Sequence, residues 1–215
     1  MPKKKTEKKP PKVPVHYPPM AHQVRIIGGA WKRTPLPVLE SAGLRPTPDR
    51  VRETVFNWIN HVIGGDWDRL DCLDLFAGSG ALGFEAASRG ARSVTMVDFH
   101  APIVRQLEAI KLKLHAEQVT LMRGDAATTA PLLAAQGRRF GLVFLDPPYQ
   151  EDWLERMLPS IAPLVEDGGL AYVEWRLPLQ AQEGAAAPAW LAGWQVLRSD
   201  KAGMVHFHLL QKKSQ

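Results

Sequence analysis

Four aspartates recur along the chain, Asp74, Asp98, Asp125 and Asp146, at intervals of 24, 27 and 21 residues. Each interval is about one strand-helix unit, and each aspartate ends an apolar segment or closely follows one. In a parallel sheet such positions share one rim, the place where open α/β sheets bind ligands. A single aspartate there would be ordinary helix capping. Four suit a ligand rich in hydrogen-bond donors and positive charge. The last stands in "VFLDPPYQ", residues 143–150, where an apolar run passes directly into Asp146, Pro147, Pro148 and Tyr149. Pro147 restricts Asp146 to extended backbone and the two rings fix φ, so a carboxylate is presented on a stiff mount.

A second motif, "DLFAGSGALG", follows the first of these segments and holds Gly78-x-Gly80-x-x-Gly83. This spacing formally matches a dinucleotide fingerprint, although glycines also serve tight turns and close helix packing. A pyrophosphate would need the helix N-terminus, and Asp74, just before the glycines, would oppose it. A ligand with an ammonium and a sulfonium fits better. Asp98 then falls where a carboxylate can accept both ribose hydroxyls, and Asp125 near an adenine amino group. The pattern therefore favours S-adenosylmethionine over NAD. Its expected contacts are Asp74, Phe76, Ala77, Gly78, Ser79, Gly80, Asp98, Phe99, Asp125 and Ala126.

The elements that must position these groups are legible. "DCLDLF", "SVTMVD", "VTLMRG", "GLVFLD" and "GLAYVEW" read as strands, separated by helical segments, and "GWQVLRSDKAGMVHFHLLQK" as a terminal hairpin joined at Asp200 to Gly203. The helical segment "WLERMLPSIAPLV" should break near its prolines. Alternating strands and helices predict a mostly parallel sheet of seven strands, Rossmann-like, closed by an antiparallel hairpin. Upstream, "QVRIIGGAWKRTPLPVLE" predicts a small hairpin around Gly28-Gly29. A helix follows in "PTPDRVRETVFNWINHV", with Thr47 as cap and Pro48 at the first helical position. Its apolar stripe is Val51, Val55, Trp58, Ile59 and Val62. Arg50 and Arg52 read equally well as a solvated face paired with Asp49 and Glu53.

"DPPY" after the fourth strand and "DLFAGSGALG" after the first resemble the amino-methyltransferases that modify exocyclic nitrogens of nucleic-acid bases. Such an amine is a poor nucleophile, because its lone pair is delocalised into the ring. The resemblance implies that the Asp146 side chain and the Pro147 carbonyl accept its two N–H groups and aim the lone pair at the methyl, with Pro148 stiffening the mount and Tyr149 stacking on an extruded base. More closely, "RIIGGAWKRTPLPVLESAGLRPTPDRVRETVFNWI" resembles the bacterial 16S ribosomal RNA guanine-N2 methyltransferase family, from about Val24 to the terminal hairpin. That resemblance implies methylation of guanine 966 of the small-subunit RNA, with S-adenosylmethionine as cofactor and the 16S RNA or the 30S subunit as partner. It also implies that Thr47 and Arg50 help to close the cofactor site, and that Arg25, Lys32, Arg33 and Arg45 face RNA phosphates.

Charge divides the chain. Residues 1–22 carry six lysines against Glu7, and the remaining 21 basic and 21 acidic residues cancel. This proline-rich tail reads as disordered, either solubilising or polyanion-seeking. Residues 23–64 read as the hairpin and helix, and 65–215 as the methyltransferase core. The single cysteine, Cys72, lies in an apolar strand and reads as a buried thiol in a reducing cytosol. No apolar run is long enough for a membrane helix. His206 and His208 share a strand face without a third ligand, so no metal is expected. Nothing in the sequence demands more than a monomer. A DNA adenine-N6 or cytosine-N4 methyltransferase shares the same site logic, but such enzymes usually carry a larger recognition region. An RNA-binding assembly protein with a vestigial cofactor site conflicts with the intact aspartates.

Overall fold

A computed structural model describes residues 23–39, 47–147, 153–179 and 188–214 of the 215-residue chain. The lysine-rich tail, Arg45, Pro148 and Tyr149 lie outside the described residues. Strands β1 (Gln23–Arg25) and β2 (Pro35–Pro37) pair antiparallel as the small hairpin. Helix α1 spans Asp49–Val62 and ends before Gly64 and Gly65, both at positive φ.

The central sheet is built from β3 (Asp71–Asp74), β4 (Ser93–Asp98), β5 (Val119–Arg123), β6 (Phe140–Leu145), β7 (Val165–Trp175), β8 (Trp194–Ala202) and β9 (Val205–Lys212). Its order is β5-β4-β3-β6-β7-β9-β8, parallel from β5 through β7, with β9 antiparallel to both of its neighbours. Alternation along the strands feeds two cores. Cys72, Met96, Phe144, Tyr172 and Phe207 face the side covered by α1, α2 (Ala81–Ser88) and α3 (Ala101–Leu114). Leu73, Val97, Val143 and Val173 face α4 (Ala126–Ala135) and α5 (Trp153–Ile161). Burial pushes the Cys72 thiol pKa up, which leaves it a packing group.

The break expected near the prolines of α5 falls at Pro163: Pro159 lies inside the helix, which gives way to a 3-10 turn at Ala162–Leu164. Two local expectations are corrected. Thr47 does not cap α1: Pro48 occupies the cap position without a side-chain bond, and the Thr47 hydroxyl reaches across to the sheet instead. The last hairpin turns at Gly203 and Met204, because β8 continues through Asp200 to Ala202.

The residues before Gly65 share the core of the sheet. Phe56 packs on Trp67 and Phe144 at ring distances of 5.7 and 5.8 Å, and Trp58 stacks on Phe207 at 5.4 Å.

Candidate active site at the carboxyl ends of the strands

Strand β3 lies between β4 and β6, so the chain winds away from it in both directions and leaves a crevice at the strands' carboxyl ends. Asp74 ends β3, Asp98 ends β4 and Asp146 directly follows β6, which brings three of the aspartates together there. Asp125, two residues beyond β5, sits exposed at the head of α4.

Their surroundings make them different groups. Asp74 is 1% exposed and accepts the backbone N–H groups of Phe76 (3.3 Å) and Gly83 (3.1 Å). It is the brace of the glycine loop rather than an acid open to the rim. Burial raises its pKa to about 7 against the lowering effect of those two N–H groups, with Asp98 adding to the rise. Asp98 accepts N–H from Gly78 (3.0 Å) and His100 (2.9 Å), one on each oxygen. Asp125 caps α4 by accepting the Thr128 N–H at 3.1 Å, and Ala126 behind it is buried.

The loop itself needs its glycines. Gly80 is at φ 79°, where a Cβ would stand 2.6 Å from Phe84 and 2.7 Å from Leu107. Above Gly78 there is room: a Cβ there would meet nothing closer than the Phe76 carbonyl at 3.8 Å. Phe76 is set edge-on to Trp153, Ala77 is buried and Ser79 half-buried. Phe99 follows Asp98 and is 58% exposed, its ring tilted against that of His100 with the centroids 3.7 Å apart.

Asp146 is half-buried, and Pro147 is buried. Asp146 Oδ2 lies 3.0 Å from Thr47 Oγ1, which also lies 2.8 Å from Glu174 Oε1. Tyr172 Oη donates to the same Glu174 oxygen at 2.7 Å. Burial, and then the nearby Glu174 charge, push the Asp146 pKa well above the usual carboxylate range. Glu174 and Tyr172 are site residues that sequence reasoning missed. Their signal was present in "GLAYVEW", an acid at the exit of another buried strand.

Of the helix residues expected to close the site, Thr47 reaches Asp146 but the Arg50 side chain stands exposed on α1. Arg52, which read as solvated, is fully buried. It donates to the Thr47 carbonyl (3.3 Å) and to Asp49 Oδ1 (2.6 Å), so it holds in place the residue that contacts Asp146. Desolvation lowers its pKa, partly offset by Asp49 and Glu85.

Arg25, Lys32 and Arg33 gather with Arg89 around a cavity of about 390 Å³ at the hairpin, and Arg25 is paired with Asp49 at 2.7 Å. The hairpin loop is docked on α2. Glu85 accepts the N–H groups of Ile27 (2.6 Å) and Gly28 (2.9 Å), and Ser88 contacts Gly28, Ala30 and Trp31. Trp31 is partly buried against the core.

A family model described as Conserved hypothetical protein 95 matches residues 24–211. Ribosomal RNA small subunit methyltransferase D of Escherichia coli K12 is 38% identical over 193 residues, 90% of this chain and 92% of that protein. The chain belongs to this family. A second family member, the same-named protein of Haemophilus influenzae, is 36% identical over 195 residues, 88% of this chain and 94% of its own. Among solved structures, the putative methyltransferase yhhF of Escherichia coli superposes with a TM-score of 0.73 at 34% identity, covering 90% of this chain and 100% of that one. A putative methyltransferase complexed with SAH shares the fold at a TM-score of 0.59 and 14% identity, over 79% of this chain and 50% of its own.

Proposed function

We propose that this family member methylates ribosomal RNA of the small subunit with S-adenosylmethionine, and that its target is the exocyclic N2 of a guanine, G966. The observation that carries the reading is Asp146 at the exit of β6, mounted before Pro147 and beside the loop that Asp74 and Asp98 brace. The residues present suit the cofactor. The open space above Gly78 admits it, Asp98 retains acceptor capacity for ribose hydroxyls, and the exposed Phe99 ring offers an apolar face to adenine.

The cofactor supplies a methyl group activated by its sulfonium. The chain's part is orientation and electrostatics. Asp146 and the Pro147 carbonyl accept the two N–H groups of the guanine amine and turn its lone pair toward the methyl. Tyr149 stacks on the extruded base. Arg25, Lys32, Arg33 and Arg45, within residues 23–64, meet RNA phosphates and set register, and residues 1–22 add a salt-sensitive attraction to the same polyanion. The enzyme works as a cytoplasmic monomer.

The test is methyl transfer from labelled S-adenosylmethionine to 30S subunits, naked 16S RNA, duplex DNA and single-stranded DNA, with products identified by mass spectrometry. N2-methylguanosine in the RNA, lost in Asp146→Ala with cofactor binding intact, is the expected result. Methylated adenine or cytosine from DNA would keep the site chemistry and overturn the substrate.

A further inference from the structure

Thr47 Oγ1 has one proton, yet it stands within hydrogen-bond distance of two carboxyl groups, Asp146 at 3.0 Å and Glu174 at 2.8 Å. A hydroxyl donates once. For both contacts to be hydrogen bonds, the second proton must come from one of the acids, so the geometry describes a carboxyl pair able to share a proton through a hydroxyl. Tyr172 already donates to Glu174 Oε1, which favours Thr47 donating in the same direction and accepting from Asp146. The groups that face Asp146 are Thr47, Glu174 from β7, which also meets it directly in a side-chain hydrogen bond, and Asp74 from β3, and Tyr172 stands behind Glu174. All of these are acidic or neutral. The raised Asp146 pKa agrees with a shared proton.

We propose that Thr47 and Glu174 form a proton relay that draws the shared proton off Asp146, so that Asp146 can take the one shed by the methylated amine. The relay rests on the amine-methylation reading above. The resting proton passes from Asp146 Oδ2 to Thr47 Oγ1 while the Thr47 proton passes to Glu174 Oε1, which leaves Asp146 a carboxylate. As the nitrogen lone pair forms the new N–C bond, the C–S bond breaks and its electron pair stays on sulfur, leaving the nitrogen one proton in excess. Asp146 takes that proton. Asp146 and Glu174 then hold one proton each, Thr47 keeps its own, and one of the two is lost to solvent on product release, which restores the resting pair. Asp146 is the catalytic residue, and Thr47 and Glu174 act through it.

Two measurements test this. The first needs neither RNA nor cofactor: infrared titration of the protonated-carboxyl stretch in wild type, Asp146→Asn and Glu174→Gln. Each variant is expected to remove the same band at neutral pH, leaving the band of Asp74 in place. Persistence of that band in Glu174→Gln would refute the shared proton. The second is the pH dependence of single-turnover methylation of RNA. Glu174→Gln keeps the shape of the side chain but cannot take a proton, so the plateau should fall about 100-fold. The acid limb should also move to lower pH, because Asp146 loses its charged neighbour. Thr47→Val should lower the plateau likewise, and Thr47→Ser should restore it. An unchanged plateau and limb in Glu174→Gln would sink the relay while the methyltransferase reading stands. Absence of transfer by wild type would sink the methyltransferase reading, and the relay with it, even where the infrared titration shows the pair sharing a proton.

Discussion

Asp74, Asp98 and Asp146 are chemically identical residues whose roles are set by their neighbours. Asp74 gives the clearest pH prediction. Its folded pKa of about 7 lies above the usual carboxylate value of about 4. A raised carboxyl pKa means that the native state holds the proton more tightly. Its contribution to stability is therefore full below about pH 4 and is lost as pH rises to about 7. Calorimetry of the free protein should show the unfolding temperature falling across that window, and Asp74→Asn should flatten the fall. The amide can accept from only one of the Phe76 and Gly83 N–H groups, so titration of the same variant should show cofactor affinity reduced by roughly tenfold, the worth of about one hydrogen bond.

At the scale of elements, the hairpin and α2 behave as one unit. Gly29 is at φ 74°, and a Cβ there would stand 1.9 Å from the Ser88 carbonyl oxygen. Gly29→Ala should therefore undock the hairpin, seen as reduced amide-exchange protection at Ile27 to Trp31, while cofactor affinity is retained. Glu85→Ala acts on the other half of the interface. It strands the Ile27 and Gly28 N–H groups at a cost of about 1–3 kcal/mol for each one left unsatisfied, and it should reproduce the exchange pattern. If the docked hairpin holds RNA, both variants raise KM for RNA more than they lower kcat.

Over the whole molecule, α1 covers the face of the sheet at whose end Asp146 emerges, so folding and site assembly are one event. Phe56→Ala should cost about 3–5 kcal/mol. Unfolding followed by tryptophan fluorescence and by loss of cofactor binding should still give coincident transitions, because no separate part of the described chain is left standing. The charge distribution makes a second prediction at this scale. Replacing Lys32 and Arg33, both exposed, by alanine should weaken RNA binding evenly across sequences. It should also reduce the slope of log affinity against log salt by roughly one for each phosphate no longer neutralised.

The sequence by itself determined the alternation of strands and helices, the glycine loop and the aspartates at strand exits, because each is written in local spacing and residue type. Asp125 capping α4 belongs to the same local logic. Only the tertiary structure decided what those groups meet. Thr47 reads locally as a helix cap, yet it lies 99 residues from Asp146 and 127 from Glu174, and their meeting depends on how α1 packs over β6 and β7. Arg52 reads as a solvated helix residue because nothing local says that its face will be sealed. Burial, and with it the protonation of Asp74 and Asp146, is set by every element packed around a carboxyl, a sum over distant residues that no local pattern contains.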